Sequence, residues 1–143
     1  MFAPSRDQVR RFFFAVWSKY RAGQPLAGAE QPALEIVLAH PEYHALLDAP
    51  ERHLDRDYPP EAGETNPFLH LSLHLALAEQ LAIDQPPGLR TRYERLLARH
   101  GEALRAQHAA IDCLAETIWR AQRDQTGFDA SGYLACLDRQ LDA

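Results

Sequence analysis

Two histidines one helical turn apart, His70 and His74, sit in a run that is apolar on nearly every side: Asn66-Pro67-Phe68-Leu69-His70-Leu71-Ser72-Leu73-His74-Leu75-Ala76-Leu77-Ala78-Glu79-Gln80-Leu81. At about 100° per residue they share a face with Leu73, Leu77 and Leu81, while Ser72 and Glu79 fall opposite. Imidazoles on such a face point into a core, where a polar group needs a partner. That partner can be a metal ion such as zinc, nickel or iron, or a hydrogen-bond network. The spacing frames the choice and leaves it open.

Two more pairs have the i, i+4 spacing, His40/His44 and His108/Asp112. Pro41 disfavours helical geometry at His40. His40 therefore reads as a helix end, and His44 as the inward member. His108 falls inside the apolar stripe of its helix, Asp112 on its border and Glu116 further out. The expected metal set is His44, His70 and His74, with His108 or Asp112 as fourth ligand or outer partner. Three histidines and an open position suit a catalytic or sensory metal, with a bound water of lowered pKa for hydrolysis. The competing expectation is a structural network in which Asp112 orients a neutral imidazole. Asp112 and Glu116 can also pair with Arg105 or Arg120. The Glu-x-x-His signature of di-iron bundles is absent. So are a phosphate-binding glycine loop, a nucleophile elbow and a Cys-x-x-Cys pair. His53 and His100 read as peripheral, and Trp17 and Trp119 as core.

The elements that would position these groups are helical. Ser5 caps a first helix ending before Gly23, with Val9, Phe13, Val16, Trp17 and Tyr20 inward and Phe14 outward. A second helix spans about 31–39, and Pro41 opens a short new one carrying Tyr43, His44, Leu46 and Leu47. Residues 49–65, with Pro50, Pro59, Pro60 and Gly63, read as an ordered connection. Asn66 and Pro67 start the central helix, which ends near Asp84 before Pro86-Pro87-Gly88. A fourth helix runs to His100 with Leu89, Tyr93, Leu96 and Leu97 inward, stopped by Gly101. A fifth covers about 102–123, with a stripe of Leu104, Ile111, Ala115, Ile118 and Trp119. A last one covers about 130–141. Strand-type alternation is absent, so the expected fold is an all-α antiparallel helical bundle with short satellite helices, one domain over 1–143.

The totals agree with that expectation. The chain has 143 residues, a formal charge of −5, 46% hydrophobic and 24% charged residues, ordinary for a globular domain. The acidic balance argues against a nucleic-acid or anionic-membrane binder. Arg6, Arg10, Arg11, Lys19 and Arg21 read as a solvated basic face. Phe12–Trp17 is too short for a secretory core, and no apolar stretch reaches the roughly 20 residues a bilayer demands. Cys113 and Cys136 are at no metal-like spacing and read as reduced thiols in a cytoplasm. Outward Phe14 makes the first helix a candidate surface for self-association.

Five segments carry a family resemblance: Met1-Phe2-x-Pro4-Ser5-Arg6, His40-Pro41-Glu42-Tyr43-His44, Asn66-Pro67-Phe68-Leu69-His70-x-x-x-His74, Glu79-Gln80-Leu81-x-Ile83-Asp84-Gln85-Pro86-Pro87-Gly88 and Asp112-Cys113-Leu114-x-Glu116-x-Ile118-Trp119. Together they resemble the bacterial family called domain of unknown function 1841, over almost the whole chain. That resemblance implies a single bacterial domain and carries across no activity, substrate, cofactor or catalytic residue. His44 with His70 and His74 is also similar in kind to the three-histidine sites of DinB-type helical bundles, an analogy of three residues. Two function classes follow. One is a bundle-type metalloprotein, a hydrolase or thiol-linked transferase. The other is a non-catalytic helical protein that binds a partner or another copy of itself.

Overall fold

Ser5 opens the first helix as its sequence requires: its hydroxyl accepts from Gln8 N (3.2 Å), and its own N–H donates to the Gln8 side chain (2.7 Å). That reciprocal pair satisfies two of the N–H groups a helix start leaves without partners. The computed structural model describes residues 5–58 and 66–142. Among the described residues it is all-α, with eight α-helices and one 3-10 turn and no strand. No helix among them is long and apolar enough to cross a membrane. The chain divides into two compact units, Met1–Leu75 and Ala76–Ala143.

In the first unit, α1 (Arg6–Arg21) packs on α2 (Glu30–Leu38). A 3-10 turn (Pro41–Tyr43) and the short helices α3 (His44–Leu47) and α4 (Pro50–His53) follow. The expected connection over 49–65 thus begins with a helix; Pro59, Pro60 and Gly63 lie outside the described residues. Lys19 donates to Glu30 (2.7 Å), and that bond, with one from Ala27 N, holds the Glu30 carboxyl below its ordinary range. Phe13, Phe14, Val16, Trp17, Ala33, Ile36, Val37, Leu47, Phe68 and Leu71 form the core.

That core corrects the reading of α1. Phe14 is only 8% exposed and packs on Phe68 at 5.4 Å between ring centroids, while Tyr20 is exposed. The cause is Arg10, which is buried at 2% exposure. Its guanidinium donates to the carbonyls of His53 (3.0 Å), Leu54 (3.0 Å) and Arg56 (2.7 Å) and lies 4.7 Å over the Phe68 ring. Counting Arg10 as a solvent marker turns the inferred buried face away from Phe14. Its burial centres that face on Arg10, Phe14 and Trp17, one helical turn or two apart.

The central helix α5 (Pro67–Ile83) is capped by Asn66, whose side-chain oxygen accepts from Phe68 N (3.0 Å) and Leu69 N (3.2 Å). The unit boundary falls within it. In the second unit, α6 (Leu89–His100), α7 (Ala103–Asp124) and α8 (Ala130–Asp142) pack pairwise. Asp84 ends α5 at φ 51°, a left-handed conformation that aspartate tolerates better than most residues. Its carboxylate accepts from Arg90 N (2.8 Å) and Gly88 N (3.4 Å). These bonds, Arg90 first, hold its pKa below the ordinary value. Tyr133 donates to Gln80 (2.9 Å), and burial pushes its phenol up.

Two expectations fail in α7 and α8. The buried stripe of α7 is Ala106, Ala109, Ala110, Ile111, Cys113, Leu114 and Thr117, and Trp119 is 57% exposed beneath Arg123. Small residues line the face where helices approach, so ranking positions by side-chain size misplaces that face; Leu97 of α6 is likewise exposed. Cys113 and Cys136 are not reduced thiols: they form a disulfide between α7 and α8, Cα atoms 5.7 Å apart.

Candidate metal centre

The chain turns sharply where α2 ends. Pro41 disfavours helix at His40, whose φ −123° and ψ 66° carry the backbone out of α2. His40 N donates to Val37 O (3.0 Å), and its ring Nδ1–H donates to Ile36 O (2.7 Å). The ring is thereby pinned, 2% exposed, against the start of α5. With Nδ1 carrying the proton, Nε2 of a neutral His40 presents a lone pair.

That lone pair meets the two histidines of α5. His40 Nε2 is 3.2 Å from His70 Nε2, which is 3.1 Å from His74 Nε2. The ring centroids are 5.0, 4.7 and 4.6 Å apart, with interplanar angles of 77°, 77° and 71°. His74 is 2% exposed and His70 half-buried. The ligand atoms of the three all lie within 4.8 Å of one another.

Protons fill this arrangement poorly. His70 Nε2 faces two other Nε2 atoms, and a neutral ring nitrogen carries either one proton or one lone pair. A proton or a lone pair on His70 Nε2 can pair fully with only one of these two neighbours; accepting a proton from His40 as well would make that ring, whose Nδ1 already donates, a cation. One metal ion accepts all three lone pairs at once. Ligands at about 2.0–2.1 Å in a tetrahedron stand about 3.3–3.4 Å apart, close to the 3.1 and 3.2 Å seen here. The His40 Nδ1–H bond to a backbone carbonyl is the outer bond that fixes tautomer and ring orientation in metal-ligating histidines.

Tyr43 completes the surroundings within this unit. Its ring is parallel to that of His40 (2°, 5.5 Å) and edge-on to that of His70 (6.3 Å). Burial, and then the Glu42 charge, push its phenol up, so it stays neutral at ordinary pH.

Of the five residues the spacing singled out, His70 and His74 come together as expected. His44 does not join them: its Nε2–H donates to Val37 O (2.8 Å), and its ring stacks on Trp17 at 4.4 Å. His40 takes its place. His108 and Asp112 lie on α7 in the second unit, His108 half-buried and Asp112 exposed. Asp112, read as lying on the border of the apolar stripe, is exposed to solvent. His53 lies apart from the trio, its Nδ1 3.4 Å from the Tyr58 hydroxyl and its pKa lowered chiefly by burial. One signal for His40 was present in the sequence: Ala33, Ile36 and Val37 form the buried stripe of α2, and His40 is its next position.

A family profile described as Domain of unknown function (DUF1841) matches residues 5–139. No curated protein and no solved structure matches the chain.

Proposed function

The chain belongs to the family of domain of unknown function 1841, and from that premise we propose that it binds one divalent transition-metal ion through His40, His70 and His74. The observation that carries the reading is the pair of Nε2–Nε2 separations, 3.2 and 3.1 Å, around His70. Neutral imidazole is a borderline ligand that suits zinc, nickel and iron. With no carboxylate in the proposed shell, the site favours these over magnesium or calcium, which take oxygen ligands.

Three imidazoles leave a position for water. The proposal is therefore metal binding by a single bacterial, cytoplasmic domain, with a fourth position open for water and hydrolysis. The alternative is a purely structural histidine network.

The test is zinc titration of untagged protein against a competing chromophoric chelator. One equivalent per chain is expected, abolished in His70→Ala and His74→Ala. X-ray absorption of the zinc form should count three nitrogens and an oxygen. Sub-stoichiometric zinc in the wild type, or unaltered binding in both α5 variants, would overturn the proposal.

A further inference from the structure

The two sulfurs of the Cys113–Cys136 disulfide face different surroundings. Cys113, on α7, is fully buried; Cys136, on α8, is only half-buried. Cys136 lines a surface cavity of about 210 Å³ and Cys113 does not. A thiolate arriving from solvent therefore reaches one sulfur and not the other. The same cavity is lined by Arg120, Arg123 and Arg139. Arg120 is paired with Glu116 (2.8 Å) and Arg123 with Asp124 (2.8 Å). Arg139 makes no ion pair among the described residues and is exposed.

We propose that this disulfide is a thiol–disulfide exchange site, with Cys136 Sγ the attacked sulfur and a small carboxylate-bearing thiol the reductant. Arg139 is the group that receives the carboxylate, since a guanidinium pairs with carboxylate in bidentate fashion. The thiolate attacks Cys136 Sγ; a new S–S bond forms there, and the Cys113–Cys136 bond breaks. The electron pair leaves on Cys113 Sγ, which takes up a proton from water. A second thiolate then attacks the small thiol's own sulfur in the mixed disulfide. The small disulfide departs, and Cys136 is released as a thiolate. Two small thiols are oxidised and one protein disulfide is reduced; reoxidation retraces the steps, with Cys113 expelling the small thiol. Glu116, whose Oε2 lies 3.9 Å from Cys136 Sγ, sets a negative charge beside the attacked atom. It slows approach of any anion that Arg139 does not engage. In a reducing compartment, the disulfides that do form are usually transient and catalytic or redox-sensing.

The inference is independent of the metal centre. Its test is reduction of the native wild-type protein by glutathione and by cysteamine, a thiol without a carboxylate, each quenched with a maleimide and read by mass. Reduction by glutathione should rise linearly with thiol concentration. In Arg139→Gln it should slow several-fold with glutathione and stay unchanged with cysteamine. With oxidised glutathione, Cys113→Ser should form a mixed disulfide at Cys136 at least tenfold faster than Cys136→Ser forms one at Cys113. A rate that plateaus at the same value with both thiols means that opening of the protein limits reduction, and overturns the proposal. Equal slowing with both thiols in Arg139→Gln overturns the carboxylate assignment. The wild-type concentration dependence decides the main point even if a cysteine variant fails to fold.

Discussion

Replacing His40 and His44 one at a time separates the histidine trio seen in the structure from the metal set that spacing alone suggests. His40→Ala removes one of three converging Nε2 atoms; His44→Ala removes a ring bonded to Val37 O and stacked on Trp17. Both changes lower the stability of the metal-free protein, by about 1–3 kcal/mol each, because both delete a bond to a carbonyl and leave a gap. Absolute stability therefore does not discriminate. The zinc-dependent increment does. At free zinc 100 times the wild-type Kd, binding adds about 2.7 kcal/mol. Loss of a second-sphere partner weakens metal binding about 10–100-fold, and loss of a ligand weakens it by at least the upper figure. At the same zinc concentration the His40 variant then gains about 0.4 kcal/mol or less. His44→Ala keeps the full increment.

The assay is equilibrium denaturation of each protein in buffered zinc and in chelator, with the increment taken as the difference. Zinc bound to the unfolded chain lowers all increments together, so the comparison between variants survives it. Equal increments in the two variants would refute the geometric argument, and an increment lost in His44→Ala but kept in His40→Ala would restore the spacing-based set. No increment in the wild type would leave the three rings as a hydrogen-bond network.

Two further outcomes follow from single contacts. Arg10→Leu leaves the carbonyls of His53, Leu54 and Arg56 without their donor; a loss of about 3–5 kcal/mol in denaturant unfolding is expected, and a loss under about 1 kcal/mol would show that solvent replaces the guanidinium. Asp84 has a folded-state pKa depressed by the Arg90 and Gly88 N–H groups. Its contribution to stability is present above the unfolded-state value of about 3.9 and is lost as pH falls through the folded value. Asp84→Ala should thus lower Tm at pH 7, with the gap to wild type closing below about pH 4; a gap that stays constant across that range would place the effect outside its charge.

Helix existence was legible because its signals are local. Ser5, Asn66, Gly101 and the prolines act on their own few residues of backbone, and the structure repeats those starts and stops. Which side of a helix is buried was less legible, since that depends on groups remote in sequence. Arg10 belongs to the core only because the backbone around 53–56 brings it three carbonyls. The face of α7 belongs to alanines because neighbouring helices come close there. The disulfide joins residues 23 positions apart on different helices, a pairing that no periodicity encodes.

His40 shows the same division within a single residue. The rule that proline ends a helix was correct at Pro41, yet the conclusion drawn from it, that His44 rather than His40 is the inward member, was not: His40 is buried and His44 half-buried. Ending α2 frees the His40 backbone to adopt ψ 66°, and the ring then turns back so that Nδ1–H reaches Ile36 O. A His40 continuing α2 would have had a helical ψ and a different ring direction. The helix break is thus what aims Nε2 at His70. His44, the residue favoured by regular spacing, begins the next helix and spends its Nε2–H on Val37 O. For a histidine cluster built at a helix end, i, i+4 spacing identifies the pair on the continuous helix, His70 and His74. The third imidazole comes from the position where periodicity stops.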